Sequence, residues 1–594
     1  MTSHWQTLPY LYWRATIALF VMLLTLNIIQ PVQASPVLDL QIRFTDAPNP
    51  DIERRLLQEL RLGLLTHDQF PAQTDFLFNR TEQEILQILR GLGYYQARVE
   101  PSLSRSDTRT RARITITLGE PVRIRDYQLR IRGDGRRLTV WREYRQFNQR
   151  LTEGEIFRHD HYINTLNDLR TLAHNNGFLD AQFIQREFKV NPHTGEVFIT
   201  IELDTGTAYQ FGTVSFKGSD QLNEDFLMSY VEFEVGQQFE QAPLTELQTQ
   251  LVGSQYFGMV RINPDFDRIV DRQIPIDIEV EDNLKHRYTI GVGYGTDTGA
   301  RVTFGFQNRL LNRRGHNYEI ESTLGQQLQN ATFRYRLPGK RPAIQYWNIN
   351  LGVDATQSAN LKRSRSLVSP EYIYQVTPKF RVNPFLSLET ENFNYSNQDN
   401  EVIQSLLGGL NLQYRWVNQE GYVNAGYRHS ASFRFSSDQF LSNADFQQIE
   451  LGSRGIYSPL AFLRLHGRIQ AAYTFSDDLR KIPATYRYLL GGESLRGYGF
   501  ESIGIQTERG LEGGANMVQG SLEADYRFSR WLGTGIFVDA GQVYEDVPND
   551  QYLVGTGFGI RGFTPIGTAK LDIAWPLTEP ERGYRIHFSL GLDL

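Results

Sequence analysis

After Asp282 the chain takes up a period of two, and nothing else in it restricts the fold as tightly. Tyr288, Ile290, Val292 and Tyr294 alternate with Arg287, Thr289, Gly291 and Gly293. Ala569, Leu571, Ile573 and Trp575 alternate with Lys570, Asp572 and Ala574. The last stretch sets Tyr584, Ile586, Phe588, Leu590 and Leu592 against Arg585, His587, Ser589, Gly591 and Asp593. Successive strand residues point to opposite faces, so each segment has one apolar face and one polar or small face. Such segments suit a barrel with lipid outside and a polar lumen, and they predict an antiparallel transmembrane β-barrel over 283–594. Roughly 310 residues, at about 10 per strand plus turns, give about 16 strands, with 14 or 18 left open.

Composition agrees with this reading. There are 30 Tyr, 36 Phe and 50 Gly, and the mean hydropathy of −0.41 is too polar for a bundle of membrane helices. No segment after the N-terminus supplies the 18 or so consecutive apolar residues of a helical span. The net charge of −6 comes with no basic block, so nucleic acid is not an expected partner. The absence of cysteine excludes disulfides and thiolate metal sites. Arg14, the apolar run Ala15–Ile29 and the small-residue site Val32-Gln33-Ala34 read as a cleaved export signal over 1–34. The apolar run is about 15 residues, short of the roughly 20 that span a bilayer.

Between the signal and the barrel lies a repeat of roughly 80 residues. Its marks are Gly93-Tyr94-Tyr95-Gln96-Ala97-Arg98-Val99, Gly177-Phe178-Leu179-Asp180-Ala181-Gln182-Phe183 and Ser254-Gln255-Tyr256-Phe257-Gly258-Met259-Val260. Each unit reads as strand, helices, strand, strand. The opening strands lie around Leu38–Ile42, Tyr127–Ile131 and Thr213–Lys217. The closing ones lie around Ile114–Leu118, Phe198–Leu203 and Ile276–Val280. Helical faces fall on Ile85, Leu86 and Leu89, on Leu166, Leu169 and Leu172, and on Leu244, Leu247 and Leu251. Thr81 with Glu84, and Thr152 with Glu155, are predicted capping boxes. Gly93 and Gly177 stand where a helix C-terminus favours glycine. The expected domains are 35–119, 120–205, 206–282 and the barrel 283–594. Small modules with free sheet edges can bind another chain by adding a strand.

One loop stands out within the barrel. Leu495-Arg496-Gly497-Tyr498 sets a permanent charge beside glycine, where backbone must pack closely. A charge inside a barrel needs a partner. Apolar Leu522, Ala524 and Tyr526 place Glu523 on the lumen parity, and Ile536 and Val538 do the same for Asp539. Arg496 is therefore expected to pair with Glu523 or Asp539, with two parallel hydrogen bonds to one of them. The barrel must close between its first and last strands, and a weak closure exposes backbone groups that are costly in lipid. That seam is predicted at Arg287–Gly295 against Tyr584–Leu592, with Tyr288, Ile290, Gly291, Gly293, Tyr584, Ile586 and Phe588 its principal residues. Glycines there weaken side-chain packing.

Other signals carry less. Gly291-Val292-Gly293-Tyr294-Gly295 lacks the following helix that a phosphate loop requires. His159 and His161 are two apart on a predicted helix and do not share a face, so no metal site is expected there. No catalytic constellation is present. The expectation is a protein that is not an enzyme and uses no cofactor or metal.

Three such repeats before a barrel resemble the POTRA-plus-barrel architecture of the BamA/TamA superfamily. Leu495-Arg496-Gly497-Tyr498 is similar to that family's loop-6 motif. Phe537-Val538-Asp539-Ala540-Gly541 and Ser521-Leu522-Glu523 resemble the strand segments carrying its acidic partners. Three repeats, Gly559-Ile560-Arg561-Gly562-Phe563-Thr564-Pro565-Ile566-Gly567 and the ending Leu590–Leu594 look like the TamA branch. The resemblance implies an outer-membrane insertase of a Gram-negative bacterium, with the POTRA repeats in the periplasm. It implies assembly of autotransporters and other β-barrel clients, and a TamB-like inner-membrane partner reached through the repeats. Arg496 would latch loop 6 in the lumen. The alternative is a two-partner-type secretion channel exporting a soluble passenger.

Overall fold

The computed structural model describes residues 36–591 except 47–49, 69, 149, 297–298, 396–398, 419–422, 509, 549 and 565–566. The expected signal (1–34), Pro565, Ile566 and Leu592–Leu594 lie outside the described residues. The chain forms two compact units, Met1–Gln210 with Gln238–Gln241 and Phe211–Gln237 with Ala242–Leu594.

The first unit holds two modules. In one, strand Arg109–Thr117 lies between Val37–Phe44, parallel to it, and Arg98–Arg105, antiparallel. Helices Pro50–Glu59 and Pro71–Gly91 cover that sheet, burying Leu56, Ile85 and Leu89 against Ile114 and Ile116. The other repeats the arrangement with strands Arg123–Arg132, Glu196–Asp204 and Gln182–Asn191 and helices Val140–Phe147 and His159–Asn175. The edge strands Arg98–Arg105 and Gln182–Asn191 each have one sheet neighbour.

Gly93 and Gly177 end the long helices with φ of +98° and +83°. At each, the glycine N–H and the next N–H return to the last turn, Gly93 to Arg90 and Tyr94 to Leu89, and Gly177 to His174 and Phe178 to Ala173. This satisfies carbonyls the helix leaves open. The capping boxes are not formed. Thr81 lies in mid-helix and its hydroxyl donates to the Leu77 carbonyl, because the helix already starts at Pro71, a residue suited to a first turn. Thr152 and Glu155 make a turn, and the helix they were expected to cap begins four residues later, at His159.

The second unit opens with the third module, whose sheet runs Gln210–Lys217, Gln273–Asp282, Phe257–Pro264. Leu244, Leu247 and Leu251 of helix Gln241–Gly253 are buried. Here Gln255 takes the left-handed place that glycine holds in the other two modules, with φ of +66°. A residue with a Cβ pays about 1–2 kcal/mol for that conformation. Gln255→Gly should therefore raise stability by about 0.5–1 kcal/mol after its own entropy cost, read as the thermal midpoint of the full-length protein. This module docks on the adjoining barrel turns. Asn223 N–H donates to the Arg313 carbonyl at 2.9 Å, Tyr256 O–H to the Gly315 carbonyl, and Arg341 pairs with Glu232 at 2.6 Å.

The barrel is one sheet of 16 antiparallel strands in sequence order. Its first half comprises β1 (His286–Gly295), β2 (Gly299–Asn308), β3 (Asn317–Gly325), β4 (Leu328–Pro338), β5 (Gln345–Gln357), β6 (Leu361–Thr377), β7 (Phe380–Tyr395) and β8 (Glu401–Val417). The second half comprises β9 (Ala425–Ser436), β10 (Phe446–Leu460), β11 (Leu463–Phe475), β12 (Asn516–Arg527), β13 (Leu532–Tyr544), β14 (Leu553–Thr564), β15 (Gly567–Pro576) and β16 (Arg585–Gly591). Ile290, Val292, Leu522 and Ile536 stand exposed on the outer face, while Glu523 and Asp539 are buried on the inner one. Among the described residues no helix is long and apolar enough to cross a membrane; the strands supply the span.

Candidate functional site

The connection between β11 and β12, residues 476–515, folds into the lumen rather than away from it. Leu495 and Tyr498 are fully buried with Leu490, Ile503, Met517 and Val543. The loop can approach the wall because two positions lack side chains. Gly497 has φ of +99°, and a Cβ there would stand 2.9 Å from the Trp575 carbonyl carbon. A Cβ on Gly555 of β14 would overlap the Arg496 carbonyl. Tyr498 closes the turn, its hydroxyl 2.6 Å from Thr578 Oγ1.

Arg496 uses every donor. Its Nε and Nη2 reach the two oxygens of Asp539 at 2.8 and 2.9 Å, and its backbone N–H adds a third bond at 3.0 Å. Nη1 donates to Glu523 and to Asp572, both at 2.9 Å. Ser521 completes the fork and itself donates to Asp539 at 2.6 Å. The guanidinium carbon lies 3.4 Å from the centre of the Phe537 ring, a cation–π contact at a buried charge. The structure thus brings Arg496, Glu523 and Asp539 together.

A second arginine continues the cluster. Arg561 on β14 donates to Asp525 at 2.8 Å and to Asp572 at 2.5 Å, and lies 3.2 Å from Glu523. Lys570 reaches Glu523 at 2.6 Å. Arg464 and His466 lie 3.6 and 2.9 Å from Asp525. Four cations (Arg464, Arg496, Arg561, Lys570) face four carboxylates (Glu523, Asp525, Asp539, Asp572), so the charges of these eight side chains balance. His466, Glu523 and Asp525 are close enough together to ligate a cation, but each carboxylate already pairs with arginine or lysine.

Sequence reasoning missed Asp572, Arg561, Asp525 and Lys570. Asp572 and Lys570 were on the inward parity, and Asp525 sits two residues from Glu523, so the signal was there. A second anchor had none: Glu391 of β7 accepts from the Thr485 N–H at 3.2 Å, and Glu389 from the Tyr486 hydroxyl at 3.0 Å.

The seam residues occupy the two ends of the sheet. Tyr288, Ile290, Gly291 and Gly293 lie on β1, and Ile586 and Phe588 on β16. Tyr584 is not in the strand: Gly583, at φ of +70°, turns the chain just before it. Among the described residues β1 and β16 form no ladder. They meet where the Phe588 N–H donates to Thr296 Oγ1 at 3.3 Å. The loop touches this seam directly, since the Gly497 N–H donates to His587 Nε2 of β16 at 3.1 Å. Beside both is a cavity of about 740 Å³, lined by Gly291, Gly293, Arg496, Asp572, Phe588 and Leu590 among others.

Comparison with known proteins agrees with this architecture. A family model described as the Omp85 superfamily domain matches residues 283–594. One described as POTRA domain TamA domain 1 matches residues 58–118. Among solved structures, BamA from Haemophilus ducreyi lacking POTRA domains 1–3 is similar at 18% identity and a TM-score of 0.62, over 78% of this chain and 99% of that one. CdiB from Acinetobacter baumannii is similar at 13% identity and a TM-score of 0.48, over 79% of this chain and 90% of that one. With POTRA-type modules ahead of 16 strands and the barrel matched along its whole length, this chain belongs to the Omp85 superfamily, whose barrels are outer-membrane proteins.

Proposed function

We propose that this protein is an insertase that promotes assembly of autotransporters and other β-barrel clients in the outer membrane, and that it catalyses no covalent reaction. The observation that carries this reading is the seam. Among the described residues β1 and β16 leave backbone donors and acceptors unladdered at membrane depth, where such groups are costly. A client strand that adds to either edge satisfies them, so client folding itself supplies the driving force. The ion cluster supports this by holding loop 6, and through His587 the last strand, in one position while the seam changes.

The modules play the matching part upstream. Their edge strands Arg98–Arg105 and Gln182–Asn191 offer free backbone for strand addition by unfolded clients and by a TamB-like partner.

Two experiments test the proposal. Thr296→Cys with Phe588→Cys joins positions already in contact, in a chain with no other cysteine. The oxidised protein should lose client assembly and regain it on reduction; full activity while cross-linked refutes a working seam. Deleting the protein should lower surface display of several autotransporters together. Unchanged display with loss of one secreted soluble protein would identify a secretion channel instead.

A further inference from the structure

Four arginines stand side by side on the inner wall. Arg415 of β8 is opposite Arg428 of β9, Arg428 opposite Arg454 of β10, and Arg454 opposite Arg468 of β11. Their outward neighbours Tyr427 and Ile469 are exposed on the lipid face, which puts the arginines on the lumen face. Like charges directly opposite each other destabilise a sheet, and here three such pairs follow in succession. The row continues in register to Ser521 and then Asp539, so it climbs from near the end of β8 to the loop-6 cluster.

Three of these cations, Arg428, Arg454 and Arg468, lack the carboxylate partners their neighbours have. Among the described residues no carboxylate forms an ion pair with Arg428, Arg454 or Arg468, whereas Arg496 pairs with three carboxylates and Arg561 with Asp525 and Asp572. Arg468 donates Nη2 to the carbonyls of Glu493 and Ser494, and its Nε is buried with no partner. Glu493 acts on Arg454 and Arg468, and Asp539 and Glu523, which also act on Arg468, are already committed to Arg496. Arg454 and Arg468 line the cavity of about 740 Å³, which is also lined by Gly291 and Gly293 of β1 and by Phe588 and Leu590 of β16. One space therefore joins the positive row to the unladdered seam.

We propose that Arg428, Arg454 and Arg468 form a binding site for phosphate-bearing anions, either a lipid head group entering through the seam or phosphate free in the lumen. Guanidinium forks match phosphate oxygens in pairs and give up hydration readily. Neighbouring arginines sit about one strand spacing apart, about 4.8 Å, so two can share one phosphate. Acidic side chains on one face of a client strand recur at about 6.7 Å, out of step with the row.

The test uses the full-length protein in detergent, titrated separately with short-chain phosphatidylglycerol, inorganic phosphate and a polyglutamate peptide. Native protein should bind one or both phosphate probes, more weakly as salt rises. Binding of the lipid alone assigns the lipid source, and binding of inorganic phosphate alone the free one. Arg428→Gln with Arg454→Gln should weaken binding about tenfold or more. The Lys pair should fall between, since it keeps charge without the fork. Gel mobility before and after heating checks folding, and the glutamines should leave it unchanged because they relieve repulsion. If the double variant does not fold, Arg454→Gln alone takes its place. Equal binding by variant and native protein, or binding of the peptide and neither phosphate probe, overturns the proposal. Client assembly is not read in this assay, so its outcome is separate from that of the insertase reading.

Discussion

Arg496→Ala should release loop 6 and abolish client assembly. The substitution leaves Glu523, Asp539 and Asp572 without the cation that all three face. Removing one partner from a buried ion pair costs about 3–5 kcal/mol. Arg561 and Lys570 still neutralise part of the charge, and the adjoining cavity admits water, so the lower end of that range is expected. Arg496→Lys should recover little, because a single ammonium cannot reproduce two parallel bonds to Asp539 together with those to Glu523 and Asp572. Asp539→Ala should resemble Arg496→Ala, since it deletes the acceptor of three Arg496 bonds and of the Ser521 hydroxyl. The measurements are the temperature at which the folded band is lost on a gel and the yield of assembled client. A native transition with native yield in Arg496→Ala would remove the latch from the mechanism.

Gly555→Val should cause a comparable loss without altering any charge. Its Cβ would overlap the Arg496 carbonyl, and neither the β14 backbone nor the loop can yield without breaking ladder or ion-pair bonds. Overpacking of this kind costs about 1–3 kcal/mol, and the displaced Arg496 forfeits part of its pairing as well. Gly562 of the same strand is the control. A Cβ there meets nothing closer than 3.6 Å, so Gly562→Ala should fold and assemble clients as the native protein does. Equal behaviour of the two variants would mean that the loop does not need its close seat on β14. The pair separates position from charge, which no substitution of Arg496 can do.

The legible parts of the site share one property. Glu523 and Asp539 declared their direction because apolar residues flank them at a period of two, so local sequence sufficed. That one of them would pair with Arg496 followed from the need to neutralise an inward charge; that both do was decided by the structure. Asp525, Lys570 and Asp572 carried the same parity signal, yet parity says only which face a side chain takes. It does not say that β11, β12, β14 and β15 bring those residues to one point. Glu389 and Glu391 were further out of reach, since they meet the loop from β7 across the lumen.

The helix caps show the same division. Gly93 and Gly177 were readable because a left-handed residue after a helix is a local demand that glycine meets best. The capping boxes failed because Thr81-x-x-Glu84 satisfies the pattern equally well inside a helix, and the start at Pro71 decided the matter.

By itself, then, the sequence determined the modules, the barrel, the inward face of every strand it patterned and the arginine that needed a partner, because each depends on neighbours within a few residues. Only the tertiary structure decided that β1 and β16 stay unladdered among the described residues, that Arg496 meets three carboxylates rather than one, and that four arginines align on β8–β11. Those outcomes depend on strand register and barrel closure, which bring together residues far apart in the chain.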